Sequence, residues 1–194
     1  MMNERVKEGC KKCMFAPMNE GGTDFETPEK LEGLVELQYQ YTYAEGKADA
    51  DNETKIYKKK PTGADFTLTF LNVPTKTVAK ILGKKYSKGG METGTGDNPI
   101  PVALLFQETY SDNSYVNNVF YNVKLSRDEN SAKSSSSDNI DFTNITLTGK
   151  ALPFTNEHVE GAIDFRIDSA ESDVDQNKLQ KFFEKVRYLS EEVS

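Results

Sequence analysis

The chain has 194 residues, of which 31 are acidic and 24 are basic, and its formal charge is −7. The basic residues are interleaved with acids, which disfavours a duplex-DNA grip because such a grip needs Lys and Arg clustered on one face. No stretch reaches the ~18 apolar residues of a membrane span, and the first nine residues lack the apolar segment of a signal peptide, so we expect a soluble protein made in the cytoplasm.

The N-terminal third predicts a flexible arm over 1–9, a short strand over 10–17 and a long strand over 35–43. In the long strand, Val35, Leu37 and three tyrosines alternate with polar residues, and a period of two is typical of a strand with one buried and one polar face. We therefore expect the odd-numbered face of 35–43 in the core. Residues 44–63 predict a charged insertion loop with a small β-like core at Ile56-Tyr57, and loops of this length in compact domains are usually functional or disordered.

The central part predicts a strand over 64–72, a short helix and a β-hairpin. The helix is expected over 74–82, because Pro74 suits a first turn, Val78 and Ile81 share a face, and Gly83 supplies a stop. The turn-rich segment 87–99 follows. Strands over 102–110 and 115–125 are joined by the polar residues 111–114, which indicates a hairpin.

The C-terminal third predicts a mobile serine-rich loop over 126–138, strands over 140–152 and 162–168, and a helix over 175–189 capped by Asp173 or Asp175. The helix carries one apolar stripe, which we expect to dock on a sheet face or edge: Leu179, Phe182, Phe183, Val186 and Leu189. The fold class is thus mainly β (α+β). We expect a β-sandwich or barrel-like single domain over 1–194, with about seven strands, one short internal helix and the C-terminal helix.

The pair Cys10 and Cys13 has the spacing of a metal or redox motif. A zinc site needs a second pair of ligands, and the chain has no third cysteine and only His158, far along the chain. In a regular strand, positions i and i+3 point to opposite faces, so these two thiols are interpreted as structural. His158 is interpreted as a solvated loop residue, because no nucleophile with an orienting carboxylate accompanies it.

The remaining motifs also favour structural roles. The glycines of 89–96 lack the pattern of a phosphate-binding loop, and Asp49 and Asp51 lack EF-hand spacing. Tyr39, Tyr41 and Tyr43 could form a stacking platform, but their parity with Val35 predicts core residues first. The sequence therefore predicts no catalytic, cofactor-binding or metal-binding residues and no enzymatic activity.

The chain resembles a known family in the order of several segments, although no single motif is specific to that family. A strand runs into Val73-Pro74 and a short helix ending at Leu82-Gly83. Pro101-Val102-Ala103-Leu104 opens the hairpin, and Phe182-Phe183-Glu184-Lys185-Val186 closes the chain. In this order the chain resembles the major tail proteins (tail tube proteins) of siphophages and prophages of Gram-positive bacteria over most of 6–188. Segments 44–63 and 126–138 are more polar than that family leads us to expect.

The resemblance implies a structural virion protein that forms hexameric rings, which stack into a hollow tail through which DNA passes. It implies assembly in the host cytoplasm, no cofactor and no metal, and it suggests tape-measure, tail-tip and terminator proteins as partners. We expect 44–63 to reach an adjacent ring, and the acidic charge predicts a neutral or negative lumen with Glu36 on one candidate face. The alternative is a monomeric β-sandwich binding module, such as an adhesin or a carbohydrate-binding domain.

Overall fold

The computed structural model describes residues 5–50, 53–127 and 144–191. Within them the protein is mainly β, as predicted from the sequence. The elements in chain order are β1 (Lys7–Pro17), β2 (Glu29–Lys30), β3 (Leu34–Ala50), β4 (Glu53–Phe70), α1 (Thr75–Ile81), β5 (Lys85–Ser87), β6 (Gly90–Glu92), β7 (Val102–Tyr110), β8 (Tyr115–Ser126), β9 (Ile145–Ala151), β10 (Asp164–Asp168) and α2 (Gln176–Gln180).

Eight strands form one antiparallel sheet in the order β2-β1-β7-β8-β9-β4-β3, with β10 attached to β8. Strand β8 has different neighbours along its length: its residues 116–120 pair with β10, and its residues 123–126 pair with β9. The sheet folds over on itself, because one apolar cluster contains side chains from the β1-β7-β8 half and from the β9-β4 half. The architecture is therefore an open barrel, and β1 and β3 lie on the two sides of its opening.

Phe120 lies at the centre of this inner core. Its ring centroid is 4.8 Å from that of Phe66, 5.1 Å from Tyr39 and 6.0 Å from Tyr41. Pairs at such separations contribute about 0.5–1.5 kcal/mol each beyond the area they bury. Leu37, Tyr39 and Tyr41 are partly buried against this cluster, so the prediction of a core-facing odd side is confirmed for these three residues.

The same prediction is wrong for Val35 and Tyr43, which are 52% and 47% exposed. A register shift between Leu34 and Glu36 leaves Val35 unpaired and gives the core-facing position to Leu34. A second register shift lies between Thr42 and Tyr43, in the part of the β3-β4 pair that extends beyond the end of β9. A β-bulge changes which residues face inward, and alternation alone does not reveal it.

A second apolar cluster lies on the outer face of β1, β7 and β8, and the C-terminal segment covers it. Ala103, Leu105, Val119 and Tyr121 pack there against Leu179, Phe182, Val186 and Tyr188. The predicted docking of the C-terminal stripe is thus confirmed for its buried members, whereas Leu189 is 75% exposed.

The predicted helix over 175–189 is too long, because α2 ends at Gln180. Its predicted cap is correct: the Asp175 carboxylate accepts a hydrogen bond from the backbone N–H of Lys178. Beyond the helix the chain folds back, since the Arg187 guanidinium donates to the carbonyl of Lys181 at 2.9 Å. The buried Lys178 ammonium donates to the carbonyls of Tyr188 and Leu189. The Arg187 side chain thus occupies the Lys181 carbonyl, which a continuing helix would pair with the backbone N–H of Lys185.

Helix α1 agrees with the sequence prediction over 74–82, and Val78, Ile81 and Leu82 enter the inner core. Gly83 ends it with φ +61°, and a Cβ there would lie 2.0 Å from the carbonyl oxygen of Asn98. Only glycine fits this position, because the conformation is left-handed and the neighbouring backbone is too close.

The predicted flexible arm over 1–9 is wrong from Arg5 onward. The Arg5 guanidinium donates to both carboxylate oxygens of Asp168, at 2.6 and 3.0 Å, and lies 3.8 Å from the centre of the Tyr110 ring. Strand β1 then begins at Lys7. Of the predicted serine-rich loop, Ser126 belongs to β8, and the part from 128 onward lies outside the described residues.

Candidate assembly surfaces

Strands β3 and β4 continue well beyond the body of the sheet. Strand β9 pairs with β4 only from Ala64 to Phe70, so residues 42–50 and 53–63 form a two-stranded antiparallel projection, here called the ribbon. The ribbon leaves the sheet at Gly63, where a Cβ would lie 2.4 Å from the carbonyl oxygen of Ala151. The prediction of a loop over 44–63 is therefore wrong for its described residues: cross-strand hydrogen bonds order 44–50 and 53–63 as paired strands.

One face of the ribbon carries exposed aromatic rings. Tyr43 and Tyr57 are 47% and 52% exposed, and the Lys59 ammonium lies 4.3 Å from the centre of the Tyr43 ring. Hydrogen bonds from Tyr57 and Lys59 lower the pKa of Glu45, which lies directly opposite Lys59. Among 42–47 and 57–63 there are four lysines and one glutamate, so this part of the ribbon is cationic in an acidic protein.

The outer face of the β3-β4-β9-β8 part of the sheet is polar throughout its described rows. Three cross-strand rows follow from the registers of these strands: Glu36, Thr69 and Thr146; Gln38, Thr67, Thr148 and Ser126; Gln40, Asp65, Lys150 and Lys124. Asp65 and Lys150 form an ion pair at 3.5 Å. Its two acids and two lysines make this polar face electrically neutral, with hydroxyl and amide groups between the charges.

Cys10 and Cys13 lie on the same side of β1, contrary to the expectation from strand geometry. A register shift lies between Lys11 and Met14, and Lys12 adopts φ +53°, so the alternation of side chains is broken between the two cysteines. Cys13 is buried in the inner core and Cys10 packs against it. Burial raises the pKa of Cys10 to about 11 and that of Cys13 further still, so both thiols are protonated at neutral pH.

His158 packs its ring on Tyr188 at a centroid distance of 4.9 Å, and its carbonyl accepts a hydrogen bond from the Ser190 hydroxyl. It is exposed in the loop between β9 and β10, so its interpretation as a solvated loop residue is confirmed, and it also contacts the C-terminal segment. The glycines of 89–96 begin in the turn of the β5-β6 hairpin, where Lys88 and Gly89 both have positive φ. That is the two-residue turn typical of tight hairpins, and the sequence prediction of a turn-rich segment missed its strands.

The side chains of Asp49 and Asp51 lie outside the described part of the structure. In the part that is described, no group of three or more His, Cys, Asp or Glu side chains is placed to hold a metal ion. Among the same residues, neither helix has the length and apolar character needed to cross a membrane.

A family model described as phage tail tube protein matches residues 42–192. The chain belongs to the phage tail tube protein family. The match begins where the ribbon leaves the sheet and includes α1, the β7-β8 hairpin and the C-terminal segment. Strand β1 and residues 34–41 of β3 lie outside it. No curated protein matches the chain.

Membership of the tail tube family makes surfaces, rather than a catalytic pocket, the natural candidates for function. The sequence predicts segment 44–63 as a loop and does not predict that most of it pairs as two strands. The alternation of Tyr43, Glu45 and Lys47, and of Tyr57 and Lys59, was the signal that could have revealed two further lengths of strand.

Proposed function

We propose that this protein is the non-enzymatic structural subunit of a siphophage tail tube, forming hexameric rings that stack into a hollow conduit for DNA. The family match over 42–192 is the observation that supports this proposal. The exposed ribbon and the neutral polar face are consistent with it, since a tube subunit needs one surface for its neighbours and another for its lumen. The resemblance in the sequence favours a phage or prophage of a Gram-positive host.

The ribbon makes the contact between adjacent rings in this proposal. It extends past β9, exposes two tyrosines and carries excess positive charge. Aromatic residues such as tyrosine are enriched in protein interfaces relative to the rest of the surface. Such a surface is solvated in the isolated subunit and loses water when a neighbour covers it.

Deletion of residues 47–60 tests the role of the ribbon. Tyr43 pairs with Pro61 in the wild type, so the deletion leaves Ala44, Glu45 and Gly46 as a three-residue hairpin loop, a length that hairpins accept. We expect a folded subunit with a cooperative melting transition that forms no tubes in negative-stain micrographs of concentrated protein. Normal tube elongation by the deletion variant would contradict a ring-to-ring role for the ribbon.

The polar face lines the lumen in this proposal. A conduit must let duplex DNA slide, and each phosphate bound by Lys or Arg adds to a salt-sensitive affinity that would accumulate from ring to ring. The neutral rows of threonine and glutamine, with their two lysines offset by Glu36 and Asp65, provide little such affinity. Interactions of the remaining charges are screened beyond about 8 Å at physiological salt.

Fluorescence anisotropy with a short labelled duplex at low ionic strength tests the lumen proposal. The dissociation constant of wild-type tubes for this duplex should be above about 1 μM. Proteins that bind phosphates with Lys and Arg often bind DNA more tightly than this at low salt. Thr67→Lys with Thr148→Lys should tighten binding and steepen its salt dependence, whereas Thr75→Lys on α1 should do neither. Micromolar or tighter binding by the wild type, weakening steeply with salt, would contradict a lumen that holds DNA weakly.

The proposed partners are further copies of the chain, a tape-measure protein inside the growing tube, and tail-tip and terminator proteins at its ends. The proposed location is the virion tail, after assembly in the host cytoplasm. Size-exclusion chromatography and negative-stain microscopy separate this function from a monomeric binding module, which would form neither rings nor tubes at any concentration.

A further inference from the structure

Cys10 and Cys13 line one cavity beside β1, whose volume is about 710 Å³. Residues 30–34 and the C-terminal segment form its other walls. Cys13 is buried, whereas Cys10 is only partly buried. A cavity of about 300–1,000 Å³ is large enough to receive a small molecule. The cavity therefore gives small molecules in solution a route to both thiols, and to that of Cys10 first.

A β-bulge places the two cysteines at consecutive inward positions of β1. Lys12 and Cys13 together lie opposite the single residue Phe106 of β7. Cys10 lies opposite Glu108, which is two positions from Phe106 and therefore on the same face of β7. Same-face neighbours along a strand are about 6.6 Å apart, and the Cα atoms of a disulfide are separated by about 4.4–6.8 Å. The bulge thus brings the two thiols within reach of a disulfide bond.

The ionisation of the two thiols reflects the same proximity and sets their order of reaction. Burial raises the pKa of Cys13 most, and the neighbouring Cys10 raises it further, because nearby like charges disfavour each other. Burial and the Glu108 carboxylate raise the pKa of Cys10 to about 11, while Lys7 opposes this effect. The thiolate is the reacting form of a cysteine. We therefore expect slow thiol exchange at neutral pH, with Cys10 reacting before Cys13.

We propose that Cys10 and Cys13 form an oxidisable dithiol, which low-molecular-weight disulfides that enter this cavity convert to an intramolecular disulfide. The Cys10 thiolate attacks one sulfur of the small disulfide, whose S–S bond breaks; a mixed disulfide forms on Cys10 and one small thiolate leaves. Cys13 then attacks the Cys10 sulfur and releases the second small thiolate. The two cysteines lose two electrons and two protons, and the small disulfide gains them as two thiols.

The bulge that the disulfide would close also joins β1 to two other parts of the subunit. The backbone N–H of Leu31 donates to the carbonyl of Cys13 at 2.9 Å. The Lys12 ammonium lies 5.3 Å from the centre of the Phe183 ring in the C-terminal segment. Oxidation would fix the bulge in the conformation that makes these contacts and so stabilise the fold. This inference goes beyond the proposed function and does not depend on it.

Oxidised glutathione, a low-molecular-weight disulfide, tests the proposal on the folded wild-type protein. The reaction is run at about pH 8, stopped with acid and followed by N-ethylmaleimide in denaturant, which labels every remaining thiol. We expect a monomer that has lost about 2 Da, takes up no maleimide and yields a peptide with Cys10 linked to Cys13. Reduction with a phosphine should restore two maleimide labels per chain.

Two serine variants and the wild-type intermediate test the order of the steps. Cys13→Ser should stop at a glutathione adduct on Cys10, and Cys10→Ser should form its adduct at least about tenfold more slowly, because Cys13 is buried. In denaturant the two variants should react at equal rates. In the wild type, peptide mapping at early times should find glutathione on Cys10, which tests the order without any substitution.

Thermal melting of the oxidised and reduced wild type tests the geometry. A disulfide that fits the bulge should raise Tm by at least about 2 °C, and an unchanged or lower Tm would overturn the proposal. Accumulation of the mixed disulfide alone, a disulfide that links only two chains, or a transient adduct on Cys13 would overturn it as well. Equal adduct rates for the two folded serine variants would also contradict it.

Discussion

Replacing Tyr41 with aspartate should destabilise the subunit far more than the same replacement at Tyr43, although both residues lie at odd-numbered positions of β3. Tyr41 is partly buried, and its ring lies 6.0 Å from both Tyr39 and Phe120. Its hydroxyl accepts a hydrogen bond from Arg166 at 3.2 Å and donates one to Asp164. Tyr43 lies in the ribbon and packs on neither core.

The magnitude follows from these contacts. Two aromatic pairs contribute about 0.5–1.5 kcal/mol each, and two hydrogen bonds contribute about 1 kcal/mol each. The new carboxylate would also lie near Asp164, whose pKa is already raised by burial. We expect a loss of about 3–5 kcal/mol for Tyr41→Asp. Tyr43→Asp should remain within about 0.5 kcal/mol of the wild type, as is usual for surface substitutions.

Thermal melting followed by circular dichroism measures the difference. In a protein of this size, 1 kcal/mol corresponds to about 2–4 °C, so Tyr41→Asp should lower Tm by about 6–20 °C and Tyr43→Asp by no more than about 2 °C. Tyr41→Phe keeps the ring and should lie between them. Equal melting temperatures for the two aspartate variants would show that the face of β3 at Tyr41 does not contribute to the core.

Three further changes test the termini and the base of the ribbon. Truncation after Ser172 should expose the outer apolar cluster and cause aggregation, measurable by light scattering; a soluble, assembly-competent truncation would refute the docking of the C-terminal segment. Burial alone would raise the pKa of Asp168, but the hydrogen bonds and charge of Arg5 lower it overall. The ionised carboxylate therefore stabilises the fold above about pH 4, and this stabilisation is lost as the pH falls through the pKa of the folded state. Asp168→Asn should therefore reduce stability at pH 6 and make little difference at pH 2, as denaturant titrations at the two pH values would show. Gly63→Ala should cost about 2 kcal/mol or more, because the Cβ meets the Ala151 carbonyl; an unchanged melting temperature would contradict this close approach.

Local chemistry was enough to predict the elements whose signals lie within a few residues. The hairpin between Tyr110 and Tyr115 and the helix from Pro74 to Gly83 agree with the structure, because turn residues, fixed φ angles and side-chain period act over short distances. The order and spacing of such elements along the chain also indicated the tail tube family, to which the chain belongs.

Tertiary contacts decided the features that sequence reasoning missed. The bulges at Val35 and Lys12 depend on how neighbouring strands align, so alternation predicted the wrong face for Val35 and opposite faces for Cys10 and Cys13. The stripe over 175–189 fits a helix, yet the chain folds back because Tyr188 stacks on Tyr121 and Arg187 binds the carbonyl of Lys181.

The candidate assembly surfaces also combine features that the sequence predicts with features that depend on tertiary contacts. Composition alone established that 44–63 is polar and cationic, and hence that it belongs on the surface. Its form as a ribbon depends on cross-strand hydrogen bonds, and the open groove between β1 and β3 forms only when the sheet folds over and brings these two strands opposite each other. Residues about 30 positions apart in the chain line that groove, and no local pattern relates them, because a folded sheet places side chains by strand order rather than by distance along the sequence.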